Sequence, residues 1–209
     1  MSAGESSLAP ADRLILEGLV TTFGDDGSVN VSPMGPLVDR ERTKFVLRPY
    51  KTSRTYQNLK RGSACVFHVT DNVLMIAEAI TGRLKISADA YFLDDFGGPI
   101  LKDACQWFSL RVVQLEDEEE RTTIGCEMME HGSQRDFFGF NRAKHAVLEA
   151  AILATRTAFL PADYILGEIA KLQTPVDKTA GEQESQAFQM LKAYILEKLK
   201  TANPRMEEN

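Results

Sequence analysis

Residues 14–35, LILEGLVTTFGDDGSVNVSPMG, predict the element on which the rest of the fold is built. Two runs rich in apolar and β-branched residues flank an Asp-Gly pair at 26–27, and glycine supplies the positive φ that tight hairpin turns require. We therefore expect an antiparallel hairpin. Its second run ends at Ser-Pro-Met, 32–34, where the proline cannot donate a ladder hydrogen bond. The freed backbone could turn toward a ligand, or the strand could simply end at a proline turn.

The composition excludes several functional classes. The chain has 209 residues, is 44% hydrophobic and carries a formal net charge of −6, so it can bury a full core as one domain or as one domain with a helical appendage. The negative charge argues against nonspecific nucleic-acid binding, which requires a basic surface. No run approaches the ~18 apolar residues of a membrane helix, and residues 1–10 lack the features of a secretory signal. We expect a cytoplasmic protein.

Metal and thiol chemistry are not indicated. The three cysteines, Cys65, Cys105 and Cys126, are far apart and lack the CxxC spacing of redox or zinc sites, which favours reduced thiols. His145 and Glu149 share a helix face at a spacing of four residues, but no third ligand lies at a useful distance along the chain. We expect no metal site.

Four further runs have the composition of strands. They are residues 43–47, 63–69, 107–115 and 122–130. Together with the hairpin they make six strands, enough to close a small antiparallel barrel. The acidic run at 116–120, EDEEE, separates the last two and is expected to be a solvated hairpin tip. We predict a mainly β fold with helical additions, namely a six-stranded antiparallel split β-barrel followed by C-terminal helices.

Helical patterns lie between the strands and in the last third of the chain. Thr52 or Ser53 is expected to cap a helix that runs to about Arg61, with Gly62 as its left-handed C-terminal cap, and Asp71 or Asn72 to cap a second. Three longer helices are expected at about 141–159, 162–172 and 182–200. The predicted domains are a flexible leader (1–12), a barrel (13–135), a helical region packed on the barrel or on a partner (136–203) and a tail (204–209).

A basic segment stands out against the acidic composition. Eight of the 24 basic residues lie between Arg40 and Arg61, against the single acid Glu41. Within it a strand ends at Arg48, and a helix opens with hydroxyl side chains beside Lys51. A helix N-terminus presents free N–H groups and a positive dipole end, so this pattern favours a phosphate site. The alternative is an ordinary N-cap on a solvated basic helix.

The order of these motifs resembles a known family. A hairpin ending in SPMG (32–35), a third strand, KTSRTYQNLKRG (51–62) and ACVFHVTDN (64–72) are similar to the flavin reductase and flavoredoxin-like FMN-binding split barrels. Over essentially the whole chain, including Phe-Asn-Arg-Ala at 140–143, the sequence resembles the uncharacterised family DUF447. This resemblance implies FMN bound at the interface of a homodimer, with the phosphate near the helix and the isoalloxazine near the Ser-Pro strand end.

The resemblance also implies a set of cofactor-binding residues. Those facing the flavin ring are Ser32, Pro33 and Met34, and those holding the phosphate or ribityl chain are Arg48, Lys51, Thr52, Ser53 and Thr55. Asn58 matches the family asparagine, His68 falls near a polar position close to the flavin, and Arg142 is a candidate contact from the later helix or from the partner chain. His68 also has a structural interpretation, as a buried neutral histidine. Where relatives have Lys-Asp-Thr, this chain has Lys-Thr-Ser-Arg-Thr at 51–55.

Three functions remain open. The first is an FMN-dependent oxidoreductase acting on an unknown small molecule, which suits a chain without a nucleophile motif, P-loop or GxGxxG fingerprint. The second is a non-catalytic protein that binds flavin or a pterin-like ligand. The third is a helical interaction module fused to an empty barrel. The sequence assigns no catalytic residue.

Overall fold

The computed structural model describes residues 14–86 and 97–202, which form two compact units. The β unit contains the residues up to Thr70 together with Ile86–Phe137, and the helical unit contains Asp71–Lys85 together with Phe138–Asn209. The sequence boundaries assigned 71–85 to the barrel, whereas the structure places this segment with the helices. The predicted leader (1–12) and tail (204–209) lie outside the described residues.

The β unit is an eight-stranded antiparallel sheet. Its strands are β1 (Leu14–Ile15), β2 (Gly18–Phe23), β3 (Val29–Met34), β4 (Leu37–Val38), β5 (Lys44–Leu47), β6 (Ala64–Val69), β7 (Gln106–Glu116) and β8 (Thr123–Ser133). They follow the order β1-β4-β5-β8-β7-β6-β2-β3. The six expected strands are present, but the count of six is too low. The additional strands β1 and β4 have two residues each, too few to show an alternating pattern.

The predicted hairpin is confirmed and lies at one edge of the sheet. In β2 and β3, Gly18 pairs with Met34 and Phe23 with Val29, and Gly27 in the turn has φ of +75°. Because β3 is the last strand of the sheet, the missing N–H of Pro33 costs no ladder hydrogen bond.

Helix α1, Arg54–Gly62, packs on the core of the β unit. Its buried Tyr56 and Leu59 join a cluster that includes the rings of Phe45, Phe67 and Phe108. The helix begins after the predicted cap Ser53, but its left-handed C-terminal residue is Ser63, with φ of +55°, and not Gly62.

The helical unit contains α2 (Val73–Thr81), α3 (Arg142–Ala154), α4 (Ala162–Thr179) and α5 (Glu182–Ala202). Asn72 and Asn141 cap α2 and α3 with their side chains. Helix α3 ends earlier than expected. Helix α4 continues past the expected end at 172, and past Pro175, to Thr179, where Val176 is buried and the Thr179 hydroxyl donates to the Pro175 carbonyl.

The interior of the helical unit follows the sequence pattern closely. Four apolar residues spaced along one side of α5 are buried, as are four alanines along one side of α3, which we call its alanine face. The residues concerned are Phe188, Leu191, Ile195 and Leu199 on α5, and Ala143, Ala146, Ala150 and Ala154 on α3. The alanine face therefore packs within the subunit. None of the helices in the described ranges is long and apolar enough to cross a membrane.

Candidate functional site

The N-terminus of α1 is well defined and carries no acidic residue in its first turn. Ser53 has extended backbone angles, and its Oγ accepts a hydrogen bond of 3.2 Å from the N–H of Tyr56. The backbone N–H of Ser53 donates to the Tyr50 carbonyl at 2.9 Å, so the approach to the helix is fixed. Thr52 and Arg54 on either side are exposed. The positive helix end is thus accessible and not neutralised by the helix itself.

A polar network attaches the start of β3 to this helix end. The side-chain amide of Asn30 donates to Thr55 Oγ1 at 3.1 Å and to Thr22 Oγ1 at 3.3 Å. Asn58 Nδ2 donates to the same Thr22 hydroxyl at 2.9 Å. Thr22, Thr55 and Asn58 are buried, so these groups satisfy one another in the interior.

This network changes the roles expected for two residues and adds two others. Thr55 and Asn58 hold the helix against the hairpin. Their main contribution to a ligand site would therefore be to position the helix. The sequence interpretation missed Thr22 and Asn30. One feature of the sequence could have indicated them: Thr22 and Asn30 are two polar residues that lie opposite each other in the β2–β3 hairpin. Cross-strand neighbours lie on the same face of a sheet.

Strand β3 divides its predicted ring-facing residues between two faces. Side chains alternate along a strand, so Asn30, Ser32 and Met34 point to one face and Pro33 to the other. Met34 packs against the core of the β unit, and all residues of β3 are partly exposed. From Asn30 to Met34 the strand rises about 13 Å. Ser32 and Met34 can therefore line one surface that leads away from the first turn of α1, and Pro33 cannot share it.

In the acidic hairpin tip, Glu118, Glu119 and Glu120 are exposed, as expected, but Asp117 contacts α1. Asp117 Oδ2 accepts from Tyr56 Oη at 2.6 Å and from Lys60 Nζ at 2.8 Å. These hydrogen bonds, chiefly that from Lys60, lower the pKa of Asp117. Lys51 Nζ donates to the Glu118 carbonyl at 3.2 Å. The tip thus lies beside the predicted phosphate site.

The basic residues of the segment 40–61 do not converge on one point. Arg42 donates to Gln106 Oε1 at 2.6 Å, and its guanidinium lies over the Phe108 ring. Lys60 pairs with Asp117, and Arg61 donates to the Asn58 side chain at 3.3 Å. Arg48, Lys51 and Arg54 are the basic residues nearest to the start of α1 in the sequence.

His68 has the structural role that its sequence position also allowed. The ring is fully buried, its Nδ1 lies 3.3 Å from the Leu19 carbonyl, and Nε2 accepts from the N–H of Leu101 at 3.1 Å. Because one backbone partner is an acceptor and the other a donor, the neutral imidazole carries its proton on Nδ1. Burial lowers the pKa of His68 to about 4. Both ring nitrogens are therefore engaged, and neither is left for a flavin.

One further candidate, Arg142, and the residues considered for thiol or metal chemistry lie apart from α1 in the sequence. Arg142 is exposed at the first position of α3 in the helical unit. The three cysteines are buried and form no disulfide, and burial raises the pKa of Cys65 to about 12. Within 14–86 and 97–202, no group of three or more His, Cys, Asp or Glu side chains is arranged to hold a metal ion.

The fold and this helix end define an antiparallel split barrel in which a capped helix is fixed to an edge hairpin. The chain belongs to the family described as "Protein of unknown function (DUF447)". The model of the family's N-terminal domain matches residues 16–135, and that of the C-terminal domain matches residues 141–193. The resemblance in the sequence is thereby confirmed. No curated protein matches the chain.

Three similar solved structures are proteins of known cofactor or reductase type. An FMN-bound DUF447 protein from Methanosarcina mazei is 20% identical with a TM-score of 0.76, covering 87% of this chain and 95% of its own. The flavin reductase of styrene monooxygenase from Pseudomonas putida is 13% identical with a TM-score of 0.46, covering 58% of this chain and 82% of its own. Flavoredoxin from Methanosarcina acetivorans is 12% identical with a TM-score of 0.48, covering 57% and 68%. The first of these confirms the split-barrel architecture.

Proposed function

We propose that the protein binds FMN, with the phosphate at the N-terminus of α1 and the flavin ring toward the Met34 end of β3. The observation that carries this proposal is the hydrogen bond of 3.1 Å between Asn30 and Thr55. It fixes an anion-attracting helix end beside a partly exposed edge strand. The FMN-bound state of the similar Methanosarcina mazei protein, which shares the family and the fold, supports the choice of cofactor.

The phosphate subsite combines two kinds of group. The N–H groups of the first helical turn and the hydroxyls of Thr52 and Ser53 would donate hydrogen bonds to phosphate oxygens. Lys51 and Arg48 would add positive charge from the segment that leads into the helix, and Arg54 from its first position. Lys51 already has its ammonium group at a backbone carbonyl of the acidic tip, so the tip positions this cation beside the start of α1.

The ring subsite would follow β3. Ser32 and Met34 share the face that begins at Asn30, and the strand length between Asn30 and Met34 is about 13 Å, comparable to the ribityl chain and part of the ring system. Met34 would offer an adaptable apolar surface. Pro33 lies on the opposite face of the strand, so it would not contact the ring from the shared surface.

FMN would supply the electron or hydride chemistry, and the protein would supply position and charge. The proposed activity is an oxidoreduction of the flavin-reductase type on a small molecule. The proposal includes a cytoplasmic homodimer with FMN near its interface. Three cysteines that form no disulfide are consistent with a reducing compartment.

A second candidate is a non-catalytic flavin-binding protein, which would use the same helix end and the same edge strand to hold the cofactor.

The visible spectrum of the purified protein, with and without added FMN, tests the proposal. A flavin absorption band that remains after gel filtration is expected, and anaerobic NADH or NADPH should bleach it. A bound flavin that resists both nucleotides would favour the non-catalytic candidate. Protein that emerges colourless after incubation with excess FMN would contradict both.

A further inference from the structure

We propose that the acidic tip (116–120) closes the phosphate end of the proposed flavin site, so that the site accepts a flavin with a terminal phosphate and rejects a flavin dinucleotide. This inference rests on the proposed function and adds the element that determines its specificity. It concerns the β unit alone, to which the tip, α1 and the β2–β3 hairpin all belong.

The tip and the hairpin contact different sides of α1. Thr55 and Asn58 form hydrogen bonds with the hairpin. Tyr56 and Lys60 donate hydrogen bonds to Asp117 of the tip. At about 100° per residue, the midpoints of these two pairs lie roughly 150° apart around the helix axis. A flavin with its ring along the hairpin and its phosphate at the start of α1 would therefore point its phosphate end toward the side of the tip.

The backbone of the tip is fixed beside the segment that leads into α1. The N–H of Lys51 donates to the Glu120 carbonyl at 2.9 Å, and Lys51 Nζ donates to the Glu118 carbonyl at 3.2 Å. Just after the tip, the N–H and the hydroxyl of Thr122 both donate to the Pro49 carbonyl, at 3.0 Å and 2.8 Å. Thr122 is buried. The tip cannot move away from this segment without breaking these hydrogen bonds.

The side chains of the tip present negative charge to solvent. Glu118, Glu119 and Glu120 are exposed, and none of their carboxylates forms an ion pair within the described ranges. Arg121, which follows them, donates through Nε to the Arg48 carbonyl at 3.3 Å. Three acids against one arginine leave this stretch negative, next to a segment that is otherwise basic.

FMN and FAD distribute their charge differently. FMN ends in a phosphate monoester with about two negative charges at about pH 7. In FAD this phosphate is linked to a second one and to an adenosine, and each phosphate has a single charge. FMN would therefore place all its charge at the start of α1, beside Lys51 and Arg48. FAD would place half of it further out, beside the carboxylates of the tip, where like charges repel.

The affinities of three flavins test this specificity. Flavin fluorescence gives the dissociation constants of FMN, FAD and riboflavin for the flavin-free wild-type protein and for the tip variant, Glu118→Gln with Glu119→Gln and Glu120→Gln. We expect the wild-type protein to bind FMN at least about tenfold more tightly than FAD. The tip variant should reduce this ratio about fivefold to tenfold, mainly through tighter binding of FAD, because three exposed charges together have an effect of this size.

A matched control makes the same change of charge elsewhere in the β unit. It combines Glu41→Gln, Glu127→Gln and Glu130→Gln, all at exposed positions. Glu127 and Glu130 lie about 13 Å or more along β8 from its first residue. This control should keep the wild-type ratio of the FMN and FAD affinities. High salt should reduce the difference between wild type and the tip variant, since it screens exposed charges.

A second variant tests the attachment of the tip. Asp117→Ala removes the acceptor shared by Tyr56 and Lys60, so it should also reduce the ratio of the FMN and FAD affinities, with little effect on riboflavin. Asp117→Glu retains the charge and should restore most of the ratio. A merely structural role of Asp117 would instead change the affinities of all three flavins together.

The outcomes separate this proposal from the proposed function. If the wild-type protein binds FMN and FAD equally tightly, or if the tip variant keeps the wild-type ratio, the tip does not determine specificity, and the proposal is overturned while FMN binding still stands. If the wild-type protein fails to bind FMN, both this proposal and the proposed function are overturned.

Discussion

The side-chain amide of Asn30 lies 3.1 Å from the hydroxyl of Thr55, and this hydrogen bond joins edge strand β3 to the first turn of α1. An edge strand has one ladder partner, and among the described residues β3 pairs with β2 alone. The bond to Thr55 gives it a second support on the side of the helix. The same contact sets the separation between the positive helix end and the Ser32–Met34 surface, which is the geometry on which the proposed FMN site depends.

Replacing Asn30 by alanine should lower the free energy of unfolding by about 1–3 kcal/mol, because it removes a hydrogen-bond donor from the buried Thr22 and Thr55 hydroxyls. Urea denaturation followed by circular dichroism measures the change. Gln186→Ala, at an exposed position of α5, is the control and should change stability by less than about 0.5 kcal/mol. Equal stability of the two variants would show that the network contributes nothing.

His68 should make stability depend on pH below neutrality. Burial lowers its pKa to about 4 from an ordinary value of 6.5, so between these pH values the unfolded chain binds a proton that the folded chain does not. Stability is therefore fully present above pH 6.5 and decreases as the pH falls toward 4, by at most about 3 kcal/mol. Urea denaturation at pH 7 and at pH 4.5 measures this loss.

The variant His68→Gln separates this contribution from the titration of the acids. Glutamine retains a donor and an acceptor but does not titrate, so its loss of stability between the two pH values should be smaller than that of wild type. Identical pH dependence in the two proteins would mean that His68 is protonated normally in the folded state.

The three thiols should be unreactive in the folded protein. Cys65, Cys105 and Cys126 are buried, and burial raises the pKa of Cys65 to about 12 and that of Cys126 as well. Because the thiolate is the reactive species, a chromogenic disulfide reagent should label none of them under native conditions and all three in denaturant. Rapid labelling of one thiol in the native protein would contradict the burial of that residue.

Local patterns predicted much of the fold because their causes are local. The Asp-Gly turn requires a positive φ, and Gly27 has it. The caps at Asn72 and Asn141 follow from short-range hydrogen bonds. The buried stripe of α5 follows from helical periodicity.

The parts that the sequence did not predict depend on contacts between distant residues. Lys60 and Asp117 are paired across 57 positions, and no local rule indicates that the acidic tip docks on α1. The left-handed residue is Ser63 and not the adjacent glycine, a shift of one position that propensity does not resolve. Asn30 gains its role only from the register that brings β3 to the helix. The family resemblance located the candidate site, whereas its supporting contacts required the structure.

The phosphate subsite should be sensitive to charge. Arg48→Ala or Lys51→Ala is expected to weaken FMN by about one to two orders of magnitude and riboflavin very little, because only FMN has the phosphate that these cations meet. Isothermal titration calorimetry measures both affinities. Lys200→Ala, at an exposed site on α5, should leave both unchanged. Equal weakening of the two flavins would mean that Arg48 and Lys51 support the fold or the ring.

The most direct test of the central claim is the affinity of the wild-type protein, freed of any bound flavin, for FMN and for riboflavin. The proposed site at the N-terminus of α1 predicts one FMN per chain, bound at least about tenfold more tightly than riboflavin, since phosphate contacts of this kind contribute about 1.5–3 kcal/mol each. Failure to bind FMN, or equal affinity for FMN and riboflavin, would contradict it.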